Sequence, residues 1–313
     1  MLTLVPPRGA RALQEQSAAL WSSAEVALGP EAVPGVSGSG VWVGAPSVVR
    51  DGDLFSLAYR PRLPVGEGRG YATVLATSVD GVRFTTVGEV GKDLFGAESL
   101  ERPALVRTDD GWRLYVSAAT PGTKHWRVDL LEAATLPGLL TAVPRTVLPG
   151  DPATEGVKDP VVVRSGGRWH LWASVHPLDH PAATDRMTTR HATSDDGVDW
   201  TWQGTALTGR PGAWDARGVR VSAVVEEAGG WWALYDGRAT AAENWEERTG
   251  LAVGTADALT AVGDAPLLRS PHRAGGLRYA CRVPLPDGSA RWYYEATRAD
   301  GAHELRTVVL PGT

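Results

Sequence analysis

Ala45-Pro-Ser-Val-Val-Arg50, Arg102-Pro-Ala-Leu-Val-Arg107 and Asp159-Pro-Val-Val-Val-Arg164 are three versions of one short apolar strand. Their prolines, Pro46, Pro103 and Pro160, stand 57 residues apart. Each strand leads into a tight polar or glycine-rich turn and a second strand carrying an aromatic, Phe55, Trp112 and Trp169 in turn. Two looser copies follow, Val221-Ser-Ala-Val-Val225 with Trp232 and Cys281-Arg-Val-Pro-Leu285 with Trp292, so the aromatics recur at intervals of 57, 57, 63 and 60 residues. The intervening turns, Arg50-Asp-Gly-Asp53, Thr108-Asp-Asp-Gly111, Ser165-Gly-Gly167, Gly229-Gly230 and Asp287-Gly-Ser289, have hairpin chemistry because glycine and aspartate tolerate positive φ. Third strands are readable at Ala72–Thr77, Val128–Ala133, Thr189–Thr193, Gly250–Gly254 and Leu305–Leu310. Two of these run into Ser78-Val-Asp-Gly-Val-Arg-Phe84 and Ser194-Asp-Asp-Gly-Val-Asp-Trp200, turns that lead to an outer strand.

An all-β unit repeating at several tens of residues is the signature of radial repetition, not of a sandwich. The expected fold is therefore an all-β, five-bladed β-propeller occupying residues 1–313 as one domain, with blades starting near residues 43, 100, 157, 219 and 278. The fifth unit ends at Thr313, too early for a fourth strand, so residues 1–40 are expected to return and complete the last blade, leaving no free edge. A short amphipathic helix is expected before that strand, around Arg11–Leu20.

The composition is that of a packed globular chain: 43% hydrophobic and 21% charged residues over 313 positions. A net charge of −5 and the absence of a basic stripe interleaved with aromatics argue against nucleic acid as a partner. Neither a signal-like start nor an apolar run long enough to cross a bilayer is present, so a soluble, cytoplasmic protein without a membrane partner is expected. Cys281 is the only cysteine, which excludes an internal disulfide and a cysteine-based zinc site. His176 and His180 are four apart but in a proline-containing loop, so no metal and no cofactor is expected. The phosphate-loop, nucleophile-elbow and zinc-helix motifs are missing, and Gly35-Val-Ser-Gly-Ser-Gly40 lacks the strand and helix that would make it a nucleotide loop.

In an antiparallel meander the starts of first strands, the ends of second strands and the loops after them share one face. The loops on that face are long in units three and four, whereas the hairpin turns opposite are short, so the site is expected at the mouth of the axis. Glu101 and Asp159 begin inner strands just ahead of Pro103 and Pro160, and Asp236 ends a second strand. These three are the expected catalytic carboxylates. Trp42, Arg60, Arg102, Lys158, His176, Arg217, Arg238, Glu243 and Arg298 are the expected substrate-binding residues. Charges at strand ends also serve as blade-to-blade ion pairs, and the dense charge run that contains Glu247 reads as a solvated loop. Trp112, Trp169, Trp232 and Trp292 recur at one blade position and are expected to fill gaps between blades. Trp42, Trp126, Trp214 and Trp245 fall outside that register and are the candidates for a ligand surface.

Asp159-Pro160 opening an inner strand, Glu101-Arg102-Pro103 one blade earlier, and the Ser194–Trp200 turn resemble the five-bladed propeller glycosidases. That group includes the family 43 arabinanases and xylosidases, the family 32 and 68 fructan enzymes and the family 130 mannoside phosphorylases. The resemblance implies three acidic residues around the axis, one acting as base or nucleophile, one as acid and one tuning the others. Glu101, Asp159 and Asp236 would supply them, although Gly44-Ala45-Pro46 stands where those families usually carry a blade-one aspartate. The expected function is hydrolysis of a small or medium glycoside by carboxylate acid–base catalysis. Two alternatives stay open. Phosphorolysis would have phosphate bound by Arg60, Arg62, Arg102 and Arg238, and a non-catalytic propeller would only bind a carbohydrate or a protein.

Overall fold

The computed structural model describes residues 6–18, 23–33, 38–228 and 230–312. Ala19 and Leu20 of the expected helix, Gly35, Val36 and Ser37 of the glycine-rich segment, and Gly229 of the fourth hairpin turn lie outside the described residues.

The chain begins with helix α1 (Arg8–Gln16) and the short strand β1 (Glu25–Leu28), and then runs through five blades. Blade one is β2 (Trp42–Asp51), β3 (Leu54–Arg62), β4 (Ala72–Ser78) and β5 (Thr85–Gly91). Blade two is β6 (Leu100–Thr108), β7 (Gly111–Ala119), β8 (Trp126–Ala133) and β9 (Arg145–Leu148). Blade three is β10 (Glu155–Ser165), β11 (Arg168–Pro177), β12 (Thr188–Ser194) and β13 (Thr201–Leu207). Blade four is β14 (Gly218–Glu227), β15 (Gly230–Arg238), β16 (Arg248–Thr255) and β17 (Ala258–Val262). Blade five supplies β18 (Leu277–Pro284), β19 (Ala290–Thr297) and β20 (His303–Leu310), and β1 pairs antiparallel with β20 as its outer strand. The N-terminal segment therefore completes the last blade, as the missing fourth strand required. The first strands touch in the cyclic order β2, β6, β10, β14, β18 and back to β2, which makes the five sheets a ring.

Five hydrophobic clusters lie between successive blades, one at each junction. This is why second strands such as β3 and β15 are buried along nearly their whole length and lack a polar alternation: both of their faces meet a neighbouring blade. Trp112 fills the junction of blades one and two, and Trp232 and Trp292 fill that of blades four and five. Trp169 is buried beneath the guanidinium groups of Arg113 and Arg164. Helix α1 begins just after Pro6-Pro7, three residues before the expected start, and seats Ala10 and Leu13 in the junction of blades four and five. The two serine–aspartate turns are built alike: Asp80 Oδ1 accepts the N–H groups of Val82 and Arg83, and Asp196 Oδ1 those of Val198 and Asp199. A tyrosine from the preceding blade locks each, with Tyr293 donating to Gly81 O and Tyr115 to Gly197 O, both at 2.7 Å.

Each first strand carries a bulge near its start, between Gly44 and Ser47, Leu100 and Pro103, Lys158 and Val161, Val221 and Ala223, and Arg278 and Cys281. Pro46 and Pro160 sit within it and Pro103 closes it, positions where a missing N–H costs no ladder bond. Inside the bulges Ala45, Asp159 and Tyr279 adopt left-handed backbone with φ of 52°, 57° and 56°. A bulge bends the strand and re-aims its side chains, and here it gathers them at one end of the axis.

Candidate active site

A pocket of about 360 Å³ opens at the axial mouth expected from the sequence. First-strand starts supply Glu101, Lys158, Arg220, Arg278 and Tyr279, second-strand ends supply Arg60, His176 and Arg238, the start of β8 supplies Trp126, and the loops after second strands add Asp185, Trp245 and Glu247. Among the described residues no group of three or more His, Cys, Asp or Glu side chains is arranged to hold a metal ion.

An ion-pair chain runs through all five blades beneath this pocket. Glu101 of blade two pairs with Arg60 of blade one, whose other nitrogen meets Glu295 Oε2 of blade five at 3.0 Å. Glu295 Oε1 is gripped by Arg278 at 2.7 Å, and Arg278 reaches Glu247 Oε2 of the blade-four loop at 2.8 Å. Glu247 also pairs with Arg238, which extends to Asp185 of blade three at 3.4 Å. Nearly all these groups are buried, so each charge depends on its partners to remain charged.

Burial alone would raise the Glu101 carboxyl, but Arg60, then Lys158 and Arg62, outweigh it and hold it down to about 2. Burial likewise opposes ionisation of Glu247, and Arg278, Arg238 and Arg220 overcome it, leaving that carboxyl well below the usual range. Glu295 is lowered in the same way against burial, by Arg278 and Arg60. Lys158 moves in the opposite sense: burial lowers it, with Asp159 and Glu101 only partly restoring the charge. His176 is pushed down to about 3 by burial and by Lys158. Its Nδ1 donates to Thr184 O at 2.8 Å, since a carbonyl oxygen can only accept, and so in the neutral ring Nδ1 carries the proton.

The three expected carboxylates separate. Glu101 lines the pocket. Asp159 and Asp236 are fully buried behind Arg220, which bonds Asp159 Oδ2 at 3.1 Å and Asp236 Oδ2 at 3.0 Å. Asp236 also accepts the Tyr279 N–H at 3.0 Å, and burial nevertheless pushes its carboxyl up. One oxygen of each aspartate has no protein partner.

Of the expected binding residues, Arg60, Lys158, His176 and Arg238 line the pocket, with Lys158 Nζ 4.8 Å from the Trp126 ring centre. The others lie elsewhere. Arg102 points along the axis to the opposite end, donating to Ser222 O at 2.6 Å and Ala280 O at 3.3 Å, because its place within the bulge aims it inward and down. Arg217 is held by Asp185 outside the pocket wall, and Arg298 lies half-exposed between Asp300 and Glu304. Glu243 closes a capping box with Thr240 and binds Arg248, so its carboxylate is consumed by the loop itself. Trp42 faces a neighbouring side pocket, and Trp214 stacks on Tyr235 at 5.6 Å. His180 caps a turn through Ala182 N, apart from His176.

Glu247, Arg220, Arg278, Tyr279 and Asp185 reach the pocket without having been singled out. Glu247 was hidden because a dense charge run normally faces water, yet Trp245-Glu-Glu is turned inward by left-handed backbone at Trp245, φ 74°. Gly44 has a plain physical reason: a Cβ there would lie 2.0 Å from Glu295 Oε2. The Glu295 carboxylate, which also accepts the Ala45 N–H at 3.0 Å, thus fills the place left by the absent blade-one side chain.

No family model and no curated protein matches the sequence. Solved structures do. A thermostable family-43 glycoside hydrolase aligns with a TM-score of 0.66 at 13% identity, over 88% of this chain and 89% of the other. A β-1,2-mannobiose phosphorylase from Listeria innocua gives 0.63 at 15%, over 90% and 94%. A glycosyl hydrolase from Bacteroides ovatus gives 0.62 at 16%, over 86% and 84%. At these identities the likeness shows the fold, and the chain is a five-bladed β-propeller of the kind those proteins share.

Proposed function

We propose that this protein is a glycoside-processing enzyme that hydrolyses a small or medium glycoside in the axial pocket. The observation that carries the reading is Glu101: a carboxylate on the wall of a concave pocket, buried yet held ionised by Arg60, with the proton-bearing Lys158 beside it. Glu101 then acts as base or nucleophile at the sugar carbon. Lys158, whose charged form burial disfavours, is the lining group best placed to release a proton to the departing oxygen. Asp159 and Asp236 act through Arg220, which they fix against the pocket floor, and are positioning residues in this reading. Trp245, the exposed aromatic of the wall, offers a ring face for the substrate.

Phosphorolysis is the second reading, favoured by the charge of the lining. Arg60, Arg69, Lys124, Lys158, Arg220, Arg238 and Arg278 line the pocket with only Glu101, Asp185 and Glu247 among them; Asp159, Asp236 and Glu295 offset Arg220, Arg60 and Arg278 from behind the wall, and the remaining cations suit an anionic co-substrate. Aryl glycosides and oligosaccharides assayed with and without inorganic phosphate separate the two. Turnover in buffer alone supports hydrolysis, and turnover requiring phosphate supports phosphorolysis. Absence of turnover in both, with binding retained, would leave a carbohydrate-binding propeller.

A further inference from the structure

Next to the axial pocket lies a second one of about 320 Å³, and Trp245 and Asn244 belong to the walls of both. Its floor is Arg62, at the end of β3, two residues beyond Arg60 and on the same side of the strand. The two arginines are treated differently. Arg60 meets two carboxylates, whereas no carboxylate among the described residues lies within the 4 Å of an ion pair from Arg62.

Arg62 is only 2% exposed, and its guanidinium lies over the Trp42 ring, 3.9 Å away, with the Trp245 ring 4.8 Å away. The two rings meet each other edge to face, 5.5 Å apart at 64°, and in the corner they form the guanidinium Nε and Nη1 have no partner. Burial lowers Arg62 to about 10, so it is still a cation at neutral pH. Glu101 offsets its charge from beyond ion-pair range, but a buried fork whose N–H groups meet no acceptor is unfavourable unless a ligand supplies one. Glu246 also faces the pocket, but its Oε2 is taken by the Gly276 N–H at 2.8 Å and the Thr297 hydroxyl at 3.1 Å. At the rim Arg273 is exposed, with no carboxylate in ion-pair range among the described residues.

The aromatic wall identifies what carries the anion. Trp245 is 39% exposed, and its backbone is held in a left-handed conformation that bulky residues rarely adopt. An exposed ring fixed at the boundary of two pockets is a stacking platform for a sugar ring that continues from one pocket into the next.

We propose that this side pocket is a second sugar subsite that receives an acidic sugar unit of the substrate, its oxyanion bound at the edge of Arg62 and its ring against Trp245. The proposal rests on the glycoside reading of the axial pocket and narrows its substrate to glycosides bearing a carboxylate or a sulfate ester.

The test is binding of free sugars to the whole chain, followed by quenching of tryptophan fluorescence, so that turnover is not needed. Glucuronic acid, glucose 6-sulfate, glucose and inorganic sulfate are the probes. At least one acidic sugar is expected to bind about tenfold or more tightly than glucose, the scale of one charge-assisted hydrogen-bonded pair. Whichever of the two does so identifies the oxyanion. Arg62→Gln should abolish the preference. If that variant does not fold by near-ultraviolet circular dichroism, Arg62→Lys, which keeps the charge and loses the fork, should reduce the preference severalfold. Trp245→Ala should weaken glucose and the acidic sugars alike. Equal binding of glucose and both acidic sugars would overturn the proposal, as would a preference that survives the Arg62 changes, or inorganic sulfate binding as tightly as glucose 6-sulfate. Acid preference without turnover of any glycoside would sink the enzyme reading alone; turnover of neutral glycosides without acid preference would sink the subsite alone.

Discussion

Replacing Glu101 by glutamine tests the centre of the site through two independent readouts. The Glu101 carboxyl is held down from an ordinary 4.5 to about 2 in the folded chain, against the pull of burial, by Arg60, Lys158 and Arg62. A depressed carboxyl contributes stability that is present above its unfolded pKa and is lost as pH falls through the folded one. A lowering of that size is worth about 3 kcal/mol at neutral pH. Near pH 3, where the unfolded chain is already protonated, it should shrink to about 1 kcal/mol by the same linkage. Urea unfolding of wild type and Glu101→Gln at pH 7, 5 and 3 should therefore give a difference that is constant between pH 7 and 5 and falls by more than half at pH 3. The variant should still fold at pH 7, because Arg60 keeps Glu295 as a counter-ion. On the best substrate of an aryl glycoside screen its turnover should fall about a hundredfold or more, the scale of a lost general base. A stability difference independent of pH would refute the claim that the arginines hold this carboxylate ionised. Turnover like that of wild type would refute its catalytic role.

Gly44→Ala should lower stability by about 2 kcal/mol, since the new methyl meets a Glu295 carboxylate that Arg60, Arg278, His303 and the Ala45 N–H hold in place; an unchanged melting temperature would mean that Glu295 is free to swing aside. Glu247→Gln leaves Arg238 and Arg278 short of a buried counter-ion and is expected to cost about 3–5 kcal/mol in urea unfolding. A cost below about 1 kcal/mol would show that water already screens the pair. His176, lowered to about 3, should show no protonation in imidazole nitrogen NMR between pH 8 and 5. A midpoint near 6.5 would place it in contact with solvent. Deleting residues 1–33 removes α1 and β1 and leaves β20 as an open edge, so the truncated chain should self-associate in size-exclusion chromatography with light scattering. A folded monomer would contradict the role of β1 in closing blade five.

The blade count, the strand and turn order, the face that bears the pocket and the return of the N-terminal segment were all legible in the sequence. Each rests on short-range chemistry repeated five times: apolar strands of a few residues, glycine and aspartate at turns, and one aromatic per unit. Glu101, Arg60, Lys158, His176 and Arg238 followed from the same periodicity, because strand polarity alone says which end of a strand faces the pocket. Thr240-Ala-Ala-Glu243 even carried a local signal that Glu243 was a cap, since that spacing is the capping-box pattern. What only the tertiary structure decided is which charge meets which. Arg60 and Glu295 are 235 residues apart, Arg220 and Asp159 are 61 apart, and each pair forms because two blades bring strand ends to the same axis. Those bulges turned Arg102 away from the pocket and placed Asp159 and Asp236 behind Arg220, while the left-handed turn at Trp245 brought Glu247 in. A side chain at a strand end can point to the axis, a seam or solvent within a rotation of one or two dihedral angles. The energy that selects among these belongs to buried partners from other blades, which no local stretch of sequence contains.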